Sequence, residues 1–219
     1  IRRQRQMCIR DRAYTTPIPR RVNGRSEIIL VGGDYVTAHD AATGKETWRW
    51  GSYNVRKHQY WRVVPTPVVM GELLFASTAP SWGGPAFAVR LGDAGDPDKT
   101  PPAWSLTSRQ NIPEVCSPLY YQGRLFALDG MKRVITCLQP KTGKVIWRGS
   151  LGGRAIYRAS PTGADGKIYC VDMAGTVVVL EAGEKFRVLA RMDMGEKPVC
   201  STIVAADGAL FVRTADALY

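Results

Sequence analysis

The 219 residues predict an all-β protein: four-stranded antiparallel sheets repeated along the chain as the blades of a β-propeller, in an open arc. Three observations carry the prediction. The chain resembles itself at steps near the blade period of about 40–50 residues. Each copy places a Gly-bearing turn before a short apolar, β-prone run. One phrase is written twice, as HDAATGKETWRW at 39–50 and as LQPKTGKVIWRG at 138–149.

The alignment rests on Gly24, Gly71, Gly123, Gly166 and Gly208, which are 47, 52, 43 and 42 residues apart. In each unit a Ser/Thr-Pro pair opens the first strand: Thr16-Pro17, Thr66-Pro67, Ser117-Pro118 and Ser160-Pro161. Pro is tolerated there because the first residue of a strand need not donate to the ladder. The last unit has Ser201-Thr202 and no Pro. The aligned Gly then supplies the positive φ of a tight hairpin. The second strand follows as LLFAS, RLFALD, KIYCVD or ALFVRT. A third strand leads to the Thr-Gly-Lys turn, and a fourth begins at ETWRW or VIWRG. The second unit lengthens that turn with GDAGDPDKTPPAW. The fourth is expected to shorten it, and has Leu189-Ala190 where Trp is expected. The blades are placed at about 15–50, 64–106, 113–151, 157–195 and an incomplete 198–219, within a propeller segment 13–219.

Thr-Gly-Lys does not read as a phosphate loop. That loop needs an earlier Gly, a Ser or Thr after the Lys, and a helix following. Here Glu46 or Val145 follows the Lys, and a strand follows the turn. The structural reading is a hairpin corner. Asp40 is expected to accept bonds from amides two residues on. Gly44 and Gly143 take a left-handed position that a side chain resists. Lys45 and Lys144 stay in solvent. Trp48, Trp104 and Trp147 recur at one place in their units, each with a large apolar area and one N–H to satisfy.

Ala-x-Asp-x-x-Thr-Gly-Lys-x-x-Trp at 38–48 resembles the pyrroloquinoline-quinone-type (PQQ-type) β-propeller repeat. The copy at 137–147 departs from it at Cys137 and Gln139. The resemblance covers nearly everything from residue 15 onward. It implies a ring of about eight blades, of which this chain supplies about four and a half, and Trp side chains docked between neighbouring blades. It also implies a place outside the cytoplasm, periplasmic or extracellular. The family includes quinoprotein dehydrogenases, whose quinone is held with calcium beside a catalytic Asp and often an adjacent Cys-Cys disulfide. It also includes non-catalytic scaffolds such as outer-membrane assembly lipoproteins.

Composition sets the remaining bounds. The chain is 45% hydrophobic, enough for a core, and no apolar run is long enough to span a membrane. The first twelve residues, IRRQRQMCIRDR, show no structural period and resemble translated sequencing adapter. The other reading is a basic arm for nucleic acid or an anionic surface. Without them the net charge of +11 becomes +7, which tolerates acidic partners and names none. Cys8 lies in that segment. Cys116, Cys137, Cys170 and Cys200 lie in apolar surroundings and read as buried thiols, although four thiols also permit disulfides. Two His, His39 and His58, make a His-based metal site improbable.

No catalytic, cofactor-binding or metal site is assigned. Asp93, Asp96 and Asp98 form an acidic turn without the closing Glu of a calcium loop. NVRKHQYWR, 54–62, interleaves basic and aromatic residues. It is either a solvated connector with Trp61 tucked against a blade, or a stacking and phosphate-contacting surface. By the family's habit its partner would be an acidic protein or an anionic glycan, not nucleic acid. The expected function is a non-catalytic binding scaffold that also partners the remaining blades of a longer chain. The alternatives are part of a PQQ-dependent dehydrogenase, with quinone and calcium ligands elsewhere, or a sensor domain fused to a module such as a kinase.

Overall fold

The computed structural model describes residues 12–54, 61–78, 83–92, 99–106 and 112–219. The N-terminal run, most of the 54–62 connector, and Asp93, Asp96 and Asp98 lie outside them. The described residues contain strands and turns and no helix. They divide into two compact units, Ile1–Arg109 and Gln110–Tyr219.

Unit 1 contains strands β1 (Arg12–Ala13), β2 (Ile18–Val22), β3 (Arg25–Val31), β4 (Tyr35–Asp40), β5 (Glu46–Gly51), β6 (Arg62–Val63), β7 (Val68–Met70), β8 (Leu73–Ser77), β9 (Ala86–Arg90) and β10 (Trp104–Leu106). They form two antiparallel sheets, β2-β3-β4-β5 and β7-β8-β9-β10, plus a short parallel pair of β1 with β6. Unit 2 contains β11 (Leu119–Tyr121), β12 (Arg124–Asp129), β13 (Val134–Leu138), β14 (Val145–Ser150), β15 (Thr162–Ala164), β16 (Lys167–Val171), β17 (Thr176–Glu181), β18 (Val188–Asp193), β19 (Val204–Ala206) and β20 (Ala209–Phe211). Its sheets are β11-β12-β13-β14, β15-β16-β17-β18 and the hairpin β19-β20. Each sheet is a meander, as short hairpin connections require. All five aligned glycines sit in the first hairpin of their unit with φ between 64° and 79°.

The middle strands of the β7–β10, β11–β14 and β15–β18 sheets read as unbroken apolar runs because both phases are buried, whereas β4 of the first sheet alternates buried Val36 and Ala38 with half-buried Thr37 and His39. Phe126, Leu128, Ile135, Cys137 and Trp147 share one core with Ile168, Cys170, Val178 and Leu180 of the next sheet. The alternate residues of that next sheet, Tyr169, Val171, Val177 and Val179, point the other way, into a core with Val199, Ile203 and Val212. Period 2 is preserved, but neither phase is polar. Unit 1 repeats the shared core, with Ile29, Val36 and Trp48 of one sheet clustered with Leu74, Phe87 and Val89 of the other.

The Ser/Thr before Pro has a second task besides opening a strand. The amide of Thr16 donates to the hydroxyl of Thr66 at 3.2 Å, that of Ser117 to Ser160 at 2.9 Å, and that of Ser160 to Thr202 at 3.1 Å. One blade thus hands a hydrogen bond to the next at its strand entrance. Thr202 keeps this bond although the following Pro has become Ile203. Pro is dispensable at this position and the hydroxyl is retained.

Two sequence expectations are corrected. The fourth unit's turn is longer, not shorter. Its closing bond runs from the Glu181 amide to the Arg187 carbonyl, one residue more than Asp40–Lys45 and Gln139–Lys144. Cys200 is exposed, whereas Cys116, Cys137 and Cys170 are buried; all four are free thiols. Burial pushes Cys116 and Cys137 up to about 12 and raises Cys170 as well, so these thiols stay protonated. Cys200 lies in the Pro198–Ser201 connector ahead of β19, where the chain has left the sheet. At pH 7.5 a maleimide should label Cys200 of the folded chain and spare Cys116, Cys137 and Cys170, which react only after denaturation. Peptide mapping that finds Cys170 labelled in the native protein would contradict this burial.

Candidate functional site

The repeated corner is built by one side chain catching its own turn. Asp40 Oδ1 accepts from the amides of Ala42 (3.1 Å) and Thr43 (2.8 Å) and from the Thr43 hydroxyl (2.8 Å). The Gly44 amide closes onto the Asp40 carbonyl at 2.8 Å, with Gly44 at φ 71°. In the second copy Gln139 does the same with its amide oxygen, accepting from Lys141 at 2.6 Å, Thr142 at 3.1 Å and the Thr142 hydroxyl at 3.4 Å. Gly143, at φ 69°, closes onto the Gln139 carbonyl. The apparent departure from Asp is therefore isofunctional: the turn needs an acceptor, not a charge. Lys45 and Lys144 are exposed, and the turn joins two antiparallel strands, so nothing here cradles phosphate.

In three units a register shift precedes the corner at the same place, after Ala38, Cys137 and Val179. It brings Trp48 opposite Ala38 and Trp147 opposite Cys137. Trp104 stands opposite Ala88 and is stacked on Phe75 at 5.4 Å. In the fourth unit Ala190 takes the Trp position. The three Trp residues are thus equivalent in register and buried in their sheets.

Trp147 shows what the position does. Its Nε1–H donates to the Gly183 carbonyl at 2.9 Å, and its ring packs against Phe186 at 5.5 Å. Both partners belong to the elongated corner of the next blade. The corner that lost Thr-Gly-Lys thereby receives its neighbour's Trp. Outside the seam, Glu181 and Arg187 close the same loop with a two-pronged ion pair.

Trp50 was not legible as a seam residue. Its Nε1–H reaches the Thr100 carbonyl at 2.9 Å, in the turn of the neighbouring blade, and its ring lies 4.8 Å from Phe87. Trp48 shares that core, but its Nε1–H has no partner among the described residues. In unit 2 the residue equivalent to Trp50 is Gly149. A β-carbon on Gly149 would overlap the Phe186 ring. An aromatic ring fills this part of the seam either way, from the preceding blade as Trp50 or from the following blade as Phe186. Comparing residues 50 and 149 alone would show only a Trp and a Gly.

Within each unit the recurring positions serve the turns and the sheets. Asp40 and Gly44 meet in one corner; Gly143 serves another; the Trp residues sit in the sheets. Of the 54–62 connector, Asn54 and Trp61 are buried, Trp61 within the core of unit 1. Trp61 therefore presents no stacking face to a ligand.

Four-stranded meanders with a Thr-Gly-Lys corner and inter-blade Trp contacts define the PQQ-like β-propeller class. A family model described as outer membrane protein assembly factor BamB matches residues 32–189 and again 131–218, and the chain belongs to that family. Among solved structures it is similar to BamB from Moraxella catarrhalis. That match has a TM-score of 0.66 and 15% identity, covering 96% of this chain and 58% of that one. It is also similar to the quinohemoprotein alcohol dehydrogenase from Comamonas testosteroni, with a TM-score of 0.61 and 14% identity, over 94% of this chain and 38% of that one. The chain thus spans less than two thirds of either structure. Comparison with curated protein sequences returns no significant match.

Two outcomes test the corner and the seam. Trp147→Ala should cost about 3–5 kcal/mol, as large-to-small core changes do; a denaturant melt matching the parent would refute the docking. The Thr43 hydroxyl, then the Thr43 amide, hold the Asp40 carboxyl below its ordinary 3.8. A lowered pKa means that the contribution is complete above 3.8 and is lost as pH falls through the lowered value. The amide shifts of Ala42 and Thr43 should therefore titrate with a midpoint under 3.8, and Asp40→Asn should abolish the step. The amides of Lys141 and Thr142, held by Gln139, should show no such step.

Proposed function

We propose that this chain is part of a non-catalytic binding scaffold outside the cytoplasm, acting on protein partners at an outer membrane. The observation that carries the reading is the family match from residue 32 to 218, to a family whose description names outer-membrane protein assembly. The local chemistry supports it. The motif residues are used up in holding the blades: Asp40 and Gln139 by their turns, Trp147 by the next blade.

The similarity to a quinohemoprotein dehydrogenase favours a second reading, in which the chain is part of a quinone enzyme. A quinone tricarboxylate held with calcium calls for converging cations and oxygen donors. The described side chains do not fit this group. Glu46 is tied to Arg49, Glu181 to Arg187, and Asp172 to the amides of Ala174 and Thr176. The cysteines are single thiols in separate places. We therefore assign the described residues no cofactor role.

The test has two arms on the whole protein. Titration with the quinone and calcium, followed by absorbance and dye-linked alcohol oxidation, should give no substrate-dependent dye reduction. Photo-crosslinkers on exposed blade positions, introduced in a bacterial envelope, should capture outer-membrane proteins or their assembly machinery. Quinone-dependent turnover would transfer the chain to the second reading. Crosslinking to none of those partners would remove the first.

A further inference from the structure

The connector Leu151–Arg158 of unit 2 runs between the β12-β13 turn and the β16-β17 turn. The Leu151 amide donates to the Arg133 carbonyl at 2.8 Å, the Tyr157 amide to the Gly130 carbonyl at 3.0 Å, and the Met173 amide to the Ile156 carbonyl at 2.9 Å. Near its start stand two adjacent glycines, Gly152 and Gly153, in the left-handed region at φ 68° and 74°. The Arg191 guanidinium lies against the first, 3.5–3.8 Å from where a β-carbon would stand, with Nη1 donating to the Leu151 carbonyl. Asp172 Oδ2 lies 3.5 Å from the β-carbon position of the second. Two buried groups here keep unused hydrogen-bonding capacity. Asp172 is 2% exposed; its Oδ1 accepts the amides of Ala174 and Thr176, and its Oδ2 has no partner among the described residues. Tyr157 is 2% exposed, and its hydroxyl has no partner among them either. The matching carboxylate of the previous blade is complete: Lys132, three residues after Asp129, holds its Oδ2 at 3.1 Å. After Asp172 that place belongs to Gly175.

We propose that this place binds a small hydroxy-carboxylate of the sugar-acid class, its carboxylate on Arg191 and a hydroxyl donating to Asp172 Oδ2 across the bare glycine pair. The inference goes beyond the scaffold reading and does not depend on it. Arg191 spends Nη1 on Leu151, and Nη2, the atom nearest Gly152, remains for an anion. Such charge-assisted bonds are roughly twice as strong as neutral ones. Burial raises the Tyr157 phenol, so it stays protonated and able to donate, and the charges of Asp172, Arg191 and Arg133 all act on it. With Arg154 exposed on the same connector, cations outnumber the one open carboxylate. That excess selects a ligand of net negative charge, so the donor that meets Asp172 is a hydroxyl and not an ammonium. A single open carboxylate oxygen is also far short of the roughly six to eight oxygens that calcium takes, which separates this place from a quinone–calcium centre.

The probe is D-galacturonate, titrated into the 219-residue chain with calorimetry and amide shifts as readouts. Saturable binding that moves the Gly152 and Gly153 amides is expected. D-galactose, which lacks the carboxylate, should bind about tenfold more weakly or less. Arg191→Gln should bring galacturonate down to the level of galactose. If that variant does not fold, Gly153→Asn keeps a residue that accepts positive φ, fills the space over Asp172 Oδ2 and should abolish binding. Tyr157→Phe should weaken galacturonate while keeping the ring in its core. Parent-level binding by a folded Arg191→Gln or Gly153→Asn, or an unmoved Gly153 amide, overturns the proposal. Acetate or inorganic phosphate binding as tightly as galacturonate would make this a bare anion site, and alanine binding more tightly would give Asp172 to an ammonium; either overturns it. The galacturonate trisaccharide separates the two sources of the ligand. Tighter binding than the monosaccharide names the end of an acidic polysaccharide, equal binding names the free sugar acid, and both support the proposal. None of these outcomes bears on the crosslinking and quinone assays, so the scaffold reading fails or survives separately.

Discussion

A sheet that is apolar on both faces cannot end in water, and this constraint governs the rest of the molecule. The strands of unit 2 bury successive residues in opposite directions, Ile168 and Cys170 one way, Tyr169 and Val171 the other. Full burial of an aliphatic or aromatic side chain is worth about 1.5–3 kcal/mol, and here that gain exists only when the next sheet is present. Stability is therefore a property of seams, as in other repeat architectures where each unit contacts its neighbours. The repeated sequence features are best understood as seam hardware.

Three devices hold a seam in register. At the strand entrance an amide donates to the next blade's hydroxyl, as Ser117 does to Ser160. In the sheet, Trp147 donates to the Gly183 carbonyl of the next corner. At the first hairpin, Tyr121 covers Gly163 and bonds the Gly166 amide. Apolar burial has no directional preference, so these few bonds specify how one sheet sits on another. Each can be varied if its partner varies too. Trp50 in one seam and Phe186 over Gly149 in another put an aromatic ring at matching positions from opposite sides.

The corner shows how a motif can be repeated without being a site. Asp40 and Gln139 both satisfy turn amides, and the lysines point to solvent. An ionic group would be selected for binding; an acceptor of either charge state suffices for folding. The local hydrogen bonds show these residues organising their own turns.

Repeat period, strand order, first-hairpin glycines and Trp equivalence were determined by the sequence alone, because turns and period-2 burial are local and each unit repeats the same evidence. Four kinds of feature were decided only by tertiary structure. The role of Trp50 and the Ser/Thr hydroxyl bonds depend on what the neighbouring blade presents, the longer fourth corner on how its two strands pair, and the exposure of Cys200 on where the chain leaves the sheet. Gly149 illustrates the reason. In the sequence it is a strand glycine with nothing to pack; in the fold it is the space that Phe186, thirty-seven residues later, occupies. A residue whose purpose is to accommodate a distant side chain carries no local signal, and only packing reveals it.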